Sequence, residues 1–117
     1  MKKKKINSRA KGASGEREFA QWLQSYGISA RRGQQFSGSP DSPDVVHSIP
    51  DIHIEVKRVE NLNVYKAMAQ AERDKPEGAR PVVAHRKNGT EWLITMRAED
   101  WIKVIAPESG CYHDLIG

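Results

Sequence analysis

Apolar and polar residues alternate along the chain with two periods, that of a helix and that of a strand. Near the N-terminus the apolar residues recur at i, i+3, i+4 and i+7, which predicts a helix. These residues are Phe19, Trp22, Leu23 and Tyr26. We expect this helix to span about 14–26, with Ser14 as its N-cap and Gly27 as its C′ residue. Glu16 and Glu18 would then lie in the first turn, where carboxylates interact favourably with the helix dipole.

Five later segments have the length and composition of β-strands. Their apolar residues either alternate with polar ones or form a short continuous run bounded by turn residues. The segments are Ile28–Arg32, Asp44–Ser48, Ile52–Val59, Pro81–His85 and Glu91–Met96. The continuous apolar run after Pro81 predicts a strand buried on both faces. Asn88-Gly89 predicts a hairpin turn before the last strand.

The strand predicted over 52–59 has two chemically different faces. Its apolar face carries Ile52, Ile54 and Val56, and its polar face carries His53, Glu55 and Lys57. An acid and a base therefore share one face. We expect His53 to be a surface residue of that strand and not a metal ligand.

Two further helices complete the predicted set. Asn61 would cap a helix that runs to about Arg73 or Asp74, and Pro76 follows its end. The last helix is expected over Ala98–Ile105, anchored by three apolar residues: Trp101, Ile102 and Ile105. The order α-β-β-β-α-β-β-α predicts an α/β fold, with a central mixed sheet of five strands and helices on its faces.

Length and composition place the chain among single-domain globular proteins. Its 117 residues, of which 38% are hydrophobic and 29% charged, suffice for one core. We expect a basic flexible arm over 1–10, one globular domain over 11–106 and a tail over 107–117. The sequence lacks an apolar run of membrane-spanning length and a signal peptide, which predicts a cytoplasmic protein without a membrane partner. A single cysteine excludes an internal disulfide.

The positive net charge of the chain is compatible with a polyanionic partner. The chain carries +4 and has a pI near 9.3, which is compatible with binding to a polyanion such as nucleic acid. The lysine run Lys2–Lys5 is equally well interpreted as a solubilising tail and as an arm that contacts phosphates.

Two carboxylates and a lysine form the candidate catalytic set. A turn at Ile49-Pro50-Asp51 would bring Asp44 close to Glu55 and Lys57. Two carboxylates, with a backbone carbonyl near Val56, can bind Mg²⁺ or Mn²⁺ and activate a water. These residues therefore predict a small metal-dependent nuclease. Asp41 in the preceding loop and Asp51 in the turn are weaker alternatives to Asp44.

Further residues around this set could assist catalysis or bind DNA. Glu16 is a third acid that can point toward the metal or its water, and Lys57 can stabilise charge in the transition state. Arg17 could bind a phosphate bidentately. The other candidates for phosphate contact are Lys11, Arg31, Arg32, Ser37, Ser39 and Arg58.

Three motifs resemble those of a known family. They are Lys11-Gly12-x-x-x-Glu16-Arg17-Glu18, Ser42-Pro43-Asp44-Val45-Val46 and Ile54-Glu55-Val56-Lys57. Together they are similar to the archaeal-type Holliday junction resolvases of the PD-(D/E)xK nuclease superfamily, over about 11–101. Tyr65, Gln70 and the segment Pro81-Val82-Val83-Ala84 also look similar to that family.

The resemblance implies a restriction-endonuclease-like fold, a Mg²⁺-dependent endodeoxyribonuclease and a two-fold homodimer that cuts four-way DNA junctions. Asp44 and Glu55 match the metal ligands of the family, and Lys57 matches its catalytic lysine. Glu16 matches the helix acid and Arg17 a DNA-contacting arginine. Either Arg31 or Arg32 matches a basic position after the first helix.

Other functions remain open at this point. The same chemistry would serve a nicking, restriction-like or repair endonuclease that acts on other DNA structures. A DNA-binding module with a vestigial site, or a small structural protein, are alternatives of a different class.

Overall fold

Three helices and five strands make up the part of the chain that the structure, a computed structural model, describes: residues 8–33 and 44–106. In chain order these are α1 (Ser8–Ser25), β1 (Ala30–Arg32), β2 (Val45–His47), β3 (Ile52–Arg58), α2 (Val64–Asp74), β4 (Arg80–Arg86), β5 (Leu93–Met96) and α3 (Ala98–Ile105). This mixed α/β order is the predicted one. Residues 1–7 and 107–117 lie outside the described part, so the division into arm, domain and tail stays a prediction.

Helix α1 ends as predicted but starts earlier. Gly27 has φ 81°, its N–H donates to the Gln24 carbonyl (2.9 Å), and the Ile28 N–H donates to the Leu23 carbonyl (3.1 Å). This pair of bonds is a Schellman C-cap, which Gly favours because it lacks a Cβ. The start at Ser8 corrects the expectation that Ser14 caps the helix, and Glu16 and Glu18 consequently lie beyond its first turn.

The strands form two sheets, which corrects the prediction of one five-stranded sheet. β1 pairs antiparallel with β2, whereas β3 pairs parallel with β4, which pairs antiparallel with β5. Between β2 and β3 the chain turns at Asp51, whose φ is 61° and whose carbonyl accepts from the Arg80 N–H (2.8 Å). That turn directs β3 along β4 and leaves β2 to pair with β1.

Helices cover both faces of the β3–β4–β5 sheet. The core between α1 and the strands consists of Phe19, Ala20, Leu23, Ala30, Val45, Ile54, Val56 and Ala84. On the other face, a smaller cluster packs α2 on β4 through Ala67, Ala71 and Val83. The small alanine side chains allow α2 to approach the sheet closely. β4 is buried on both faces over Pro81–Ala84, as its apolar run predicted.

Two expectations about the later helices are wrong. Asn63, and not Asn61, caps α2, because its side chain accepts from the Lys66 N–H (3.0 Å). On α3, Trp101 and Ile102 are half exposed and do not anchor the helix in the described core. No helix in the described ranges combines the length and apolar character needed to cross a membrane.

Candidate active site

Strand β3 holds Glu55 and Lys57 on the face that α2 covers. Their neighbours Ile54 and Val56 belong to the core under α1, so strand alternation turns the acid and the lysine toward α2. Glu55 is only 3% exposed. Gln70 of α2 donates from Nε2 to Glu55 Oε1 (3.0 Å) and accepts from Lys57 Nζ at its Oε1 (2.9 Å). One amide thus bridges the two candidate catalytic side chains.

Asp44 reaches the same strand from the other sheet. Its Oδ2 accepts from the Val56 N–H (2.9 Å), and its side chain is buried. Its carbonyl accepts from the Gly33 N–H (2.9 Å), which extends the β1–β2 pairing by one step. Asp44 and Glu55 therefore lie near each other as expected, although β2 and β3 are not paired as neighbouring strands.

Glu16 brings a third acid from α1. It is buried, and its Oε2 accepts from Arg32 Nε (2.9 Å). Arg32 lies opposite Val45 in the β1–β2 register, one residue from Asp44. The ion pair therefore ties α1 to the strands beside Asp44.

Burial and two neighbouring acids act on the pKa of Asp44. Burial, which disfavours the charged form, raises the pKa of Asp44 from 3.8 to about 7, and repulsion from Glu55 and Glu16 adds to the rise. The Val56 N–H and the Lys57 charge act in the opposite direction but do not cancel it. A cation close to Asp44 would favour its ionised form.

Comparison with known proteins identifies the family. A family profile described as "Archaeal holliday junction resolvase (hjc)" matches residues 7–104. The chain belongs to the archaeal Holliday junction resolvase family. The resolvase is accordingly a DNA endonuclease, and nucleases of this family are generally metal-dependent.

One solved structure of a Holliday junction resolvase is similar to this chain. The structure of Archaeoglobus fulgidus Hjc, a Holliday junction resolvase from an archaeal hyperthermophile, matches with a TM-score of 0.46 and 18% sequence identity. The match covers 71% of this chain and 74% of that chain. No curated protein matches the sequence of the resolvase.

The residues around Asp44 fit a hard divalent cation. Asp44 and Glu55 supply carboxylate oxygens, and Mg²⁺ typically binds one or two carboxylates while it keeps several waters. Within residues 8–33 and 44–106, no three His, Cys, Asp and Glu side chains are grouped as metal ligands. Glu16 is held by Arg32, and its role through a water stays a prediction.

The candidate DNA-binding residues differ in their surroundings. Arg17 and Arg31 are exposed, whereas Arg32 is half-buried and paired with Glu16. The Arg58 side chain is 17% exposed; it contacts Glu18 (Nε–Oε2 3.4 Å) and donates to Asn88 Oδ1 (2.7 Å). The remaining candidates, with the alternative acid of the same loop, lie outside the described side chains: Lys11, Ser37, Ser39 and Asp41.

Reasoning from sequence missed two residues at the site. His53 is 4% exposed, with Nε2 3.5 Å from Glu55 Oε2, so the expectation of a surface residue is wrong. α2 covers the strand face that alternation alone suggested was solvated. Gln70 was noticed only as similar to the family; its place beside Ala71 and three residues after Ala67, both buried, is the signal that it faces the sheet.

Proposed function

We propose that this resolvase hydrolyses phosphodiester bonds of four-way DNA junctions with Mg²⁺, or Mn²⁺ in its place, bound to Asp44 and Glu55. The observation that carries the proposal is the meeting of two buried carboxylates and Lys57 around the backbone of Val56. The Val56 carbonyl would add an oxygen ligand. When bound, the ion lowers the pKa of a coordinated water and withdraws charge from the scissile phosphate.

Other side chains of the protein would have separate roles in the reaction. Lys57 stabilises the negative charge that develops on the phosphate, and its link to Gln70 aims it along the polar face of β3. Glu16 orients a water beside Asp44. The proposed phosphate contacts, which set the position of the DNA, are Lys11, Arg17, Arg31, Arg32, Ser37, Ser39 and Arg58. Arg58 would join them only by leaving Glu18 and Asn88.

The proposed protein partner is a second copy of the chain. An exposed apolar set on β5 and α3 supports this proposal, because large apolar side chains left exposed to solvent are candidates for an interaction surface. Its members are each about half exposed: Leu93, Ile94, Trp101, Ile102 and Val104. A groove of about 660 Å³ lies between α2 and the end of β5, and the exposed side chain of Tyr65 lines it. A two-fold dimer would present two active sites to two strands of a junction.

Cleavage of matched DNA substrates tests the proposed function. Purified protein is incubated with four-way junctions, flaps, nicked duplexes and linear duplexes of the same arm sequence, in Mg²⁺ and in EDTA. We expect paired, symmetric incisions in the junction, none in EDTA, and loss of cleavage in Glu55→Gln and Lys57→Met. Equal cutting of linear duplex contradicts junction resolution, and selective cutting of flaps or nicks supports the repair alternative. Cleavage that survives Glu55→Gln refutes the assigned site.

A further inference from the structure

We propose that Gln70 is a positioning residue, which keeps the side chains of Glu55 and Lys57 apart and orients both for the reaction. The inference rests on the proposed function, because it assigns Gln70 a role at the same site. Its basis is the pair of hydrogen bonds that one amide makes, to Glu55 Oε1 (3.0 Å) and from Lys57 Nζ (2.9 Å).

The amide is oriented by its two partners. A carboxylate only accepts and an ammonium only donates, so the Gln70 Nε2 must face Glu55 and its Oε1 must face Lys57. The opposite orientation would place oxygen against carboxylate and NH₂ against ammonium. Both bonds are charge-assisted, which makes them stronger than bonds between neutral groups. The two residues that Gln70 positions therefore also fix the orientation of its terminal amide.

Separation of opposite charges is the chemical consequence of this bridge. Glu55 and Lys57 are two residues apart on one strand face, where a long lysine side chain can reach a carboxylate directly. A direct ion pair would occupy the carboxylate and remove the ammonium from the phosphate. Gln70 satisfies one oxygen of Glu55 and the lysine at once, while Glu55 Oε2 lies on the other side, 3.5 Å from His53 Nε2.

The backbone that carries Gln70 is itself fixed. Ala67 and Ala71, on either side of it along α2, are buried against Val83 of β4. Asn63 caps the start of the helix. The bridge therefore starts from a packed helix and not from a loop, so the position of the amide is set by the fold.

Substitution of Gln70 by Met tests the proposal. Met has a similar length and helix propensity but donates and accepts no comparable hydrogen bond. We expect kcat for junction cleavage to fall about 10–100-fold and Mn²⁺ affinity in calorimetry to weaken about 10-fold, as is typical when a residue that orients a metal ligand is lost. KM for the junction should change less than about threefold. Gln21→Met, on the exposed face of α1, is the matched control and should change none of these values.

A second substitution separates the two hydrogen bonds. Gln70→Glu can still accept from Lys57 but cannot donate to Glu55, so we expect it to weaken Mn²⁺ binding or lower kcat at least as much as Gln70→Met. The Tm of each variant is measured beside that of wild type, so that a folding defect is distinguished from a loss of function. Wild-type kcat and Mn²⁺ affinity in both Gln70 variants would overturn the proposal.

Failure of the proposed function gives a different result. If wild-type protein leaves four-way junctions intact but cuts another DNA with Mg²⁺, the assignment of the junction as substrate fails. The role of Gln70 is then tested with that DNA and by Mn²⁺ calorimetry. If wild-type protein neither cuts DNA nor binds Mn²⁺, the metal site and the role of Gln70 at it are both refuted.

Discussion

The ionised side chain of Asp44 lowers the stability of the folded state, because it is buried and close to two other acids. It is buried beside Glu55 and Glu16, so its ionised form is disfavoured and its pKa rises from 3.8 to about 7. One pKa unit corresponds to about 1.36 kcal/mol, so the ionised carboxylate costs a few kcal/mol in the absence of a cation. A side chain that destabilises the fold in this way is typical of a functional site.

The first prediction is that Asp44→Asn stabilises the metal-free protein at pH 8 by roughly 2–4 kcal/mol. In the unfolded chain Asp44 ionises near pH 3.8, whereas in the folded protein its pKa is about 7. The wild-type free energy of unfolding should therefore fall as pH rises from about 4 to about 7 and then level off, whereas this contribution is absent in the variant. Asn can still accept from the Val56 N–H.

Urea unfolding in EDTA at several pH values measures this difference. The control is Asp51→Asn, at an exposed position with φ 61° that Asn also tolerates. A stability difference between wild type and Asp44→Asn that does not change between pH 4 and pH 8 would contradict the prediction.

The second prediction concerns the metal. Mg²⁺ at about 100-fold its Kd should stabilise wild-type protein at pH 8 by about 2.7 kcal/mol, because it binds the folded state only. The increase should be lost in Asp44→Asn and Glu55→Gln and retained in Asp51→Asn. Thermal melting with and without Mg²⁺ measures it, and an equal rise of Tm in the Glu55→Gln protein would disprove binding at this site.

At the scale of elements, the site depends on how closely α1 approaches β3. A Cβ built on Gly15 would lie 2.7 Å from the Cβ of Arg58 and 3.8 Å from a methyl group of Val56. Gly15 is in the helix directly before Glu16 and, like Glu16, is buried. A residue without a side chain is therefore needed here for packing, and the same close approach brings Glu16 to the strands.

The third prediction is that Gly15→Ala destabilises the protein by about 1–3 kcal/mol. In an exposed helix the same change would stabilise by up to about 1 kcal/mol through helix propensity, so the sign distinguishes the steric clash from propensity. The clash is with a Cβ, which moves only with its backbone. Urea unfolding measures the change, with the neighbouring exposed Ser14→Ala as the control, expected within about 0.5 kcal/mol of wild type. A more stable Gly15→Ala protein would disprove the close approach.

At the scale of the whole molecule, the exposed apolar set on β5 and α3 is where we propose that the second copy of the chain binds. α3 has no buried residue among those described, although Trp101, Ile102 and Val104 are large and apolar. Glu16, Asp44 and Glu55 lie on α1, directly before β2 and on β3, so the proposed partner surface on β5 and α3 belongs to other elements than the site. The shape of the DNA substrate would then depend on the distance between two active sites.

The fourth prediction is that Ile102→Glu converts a dimer into a monomer. The side chain of Ile102 is half exposed, so the fold of the monomer should tolerate a charge at this position. A dimer interface that buries the position would be destabilised by the same charge. Sedimentation equilibrium measures the change in mass. Tyr26→Glu, at an exposed position directly after α1, should leave the mass unchanged. If wild-type protein is a monomer at every concentration with and without junction DNA, the dimer proposal fails.

Much of the fold could be predicted because it depends on local patterns. The element order, the alternation along β3, the buried run of β4 and the C-cap at Gly27 each follow from residues within one or two turns of one another. The candidate acids Asp44 and Glu55 were found in the same way, since their neighbouring residues form short motifs.

Contacts between distant segments were decided only by the tertiary structure. The pairing of β2 with β1 and the ion pair of Glu16 with Arg32 both join segments whose relation the local pattern does not encode. The covering of the polar face of β3 by α2 is of the same kind. The sequence by itself determined which residues are candidates for the chemistry, among them Asp44, Glu55 and Lys57, because side-chain type and period are local. Burial of Glu55, its bridge through Gln70 and the raised pKa of Asp44 arise from packing, because desolvation and charge act through space.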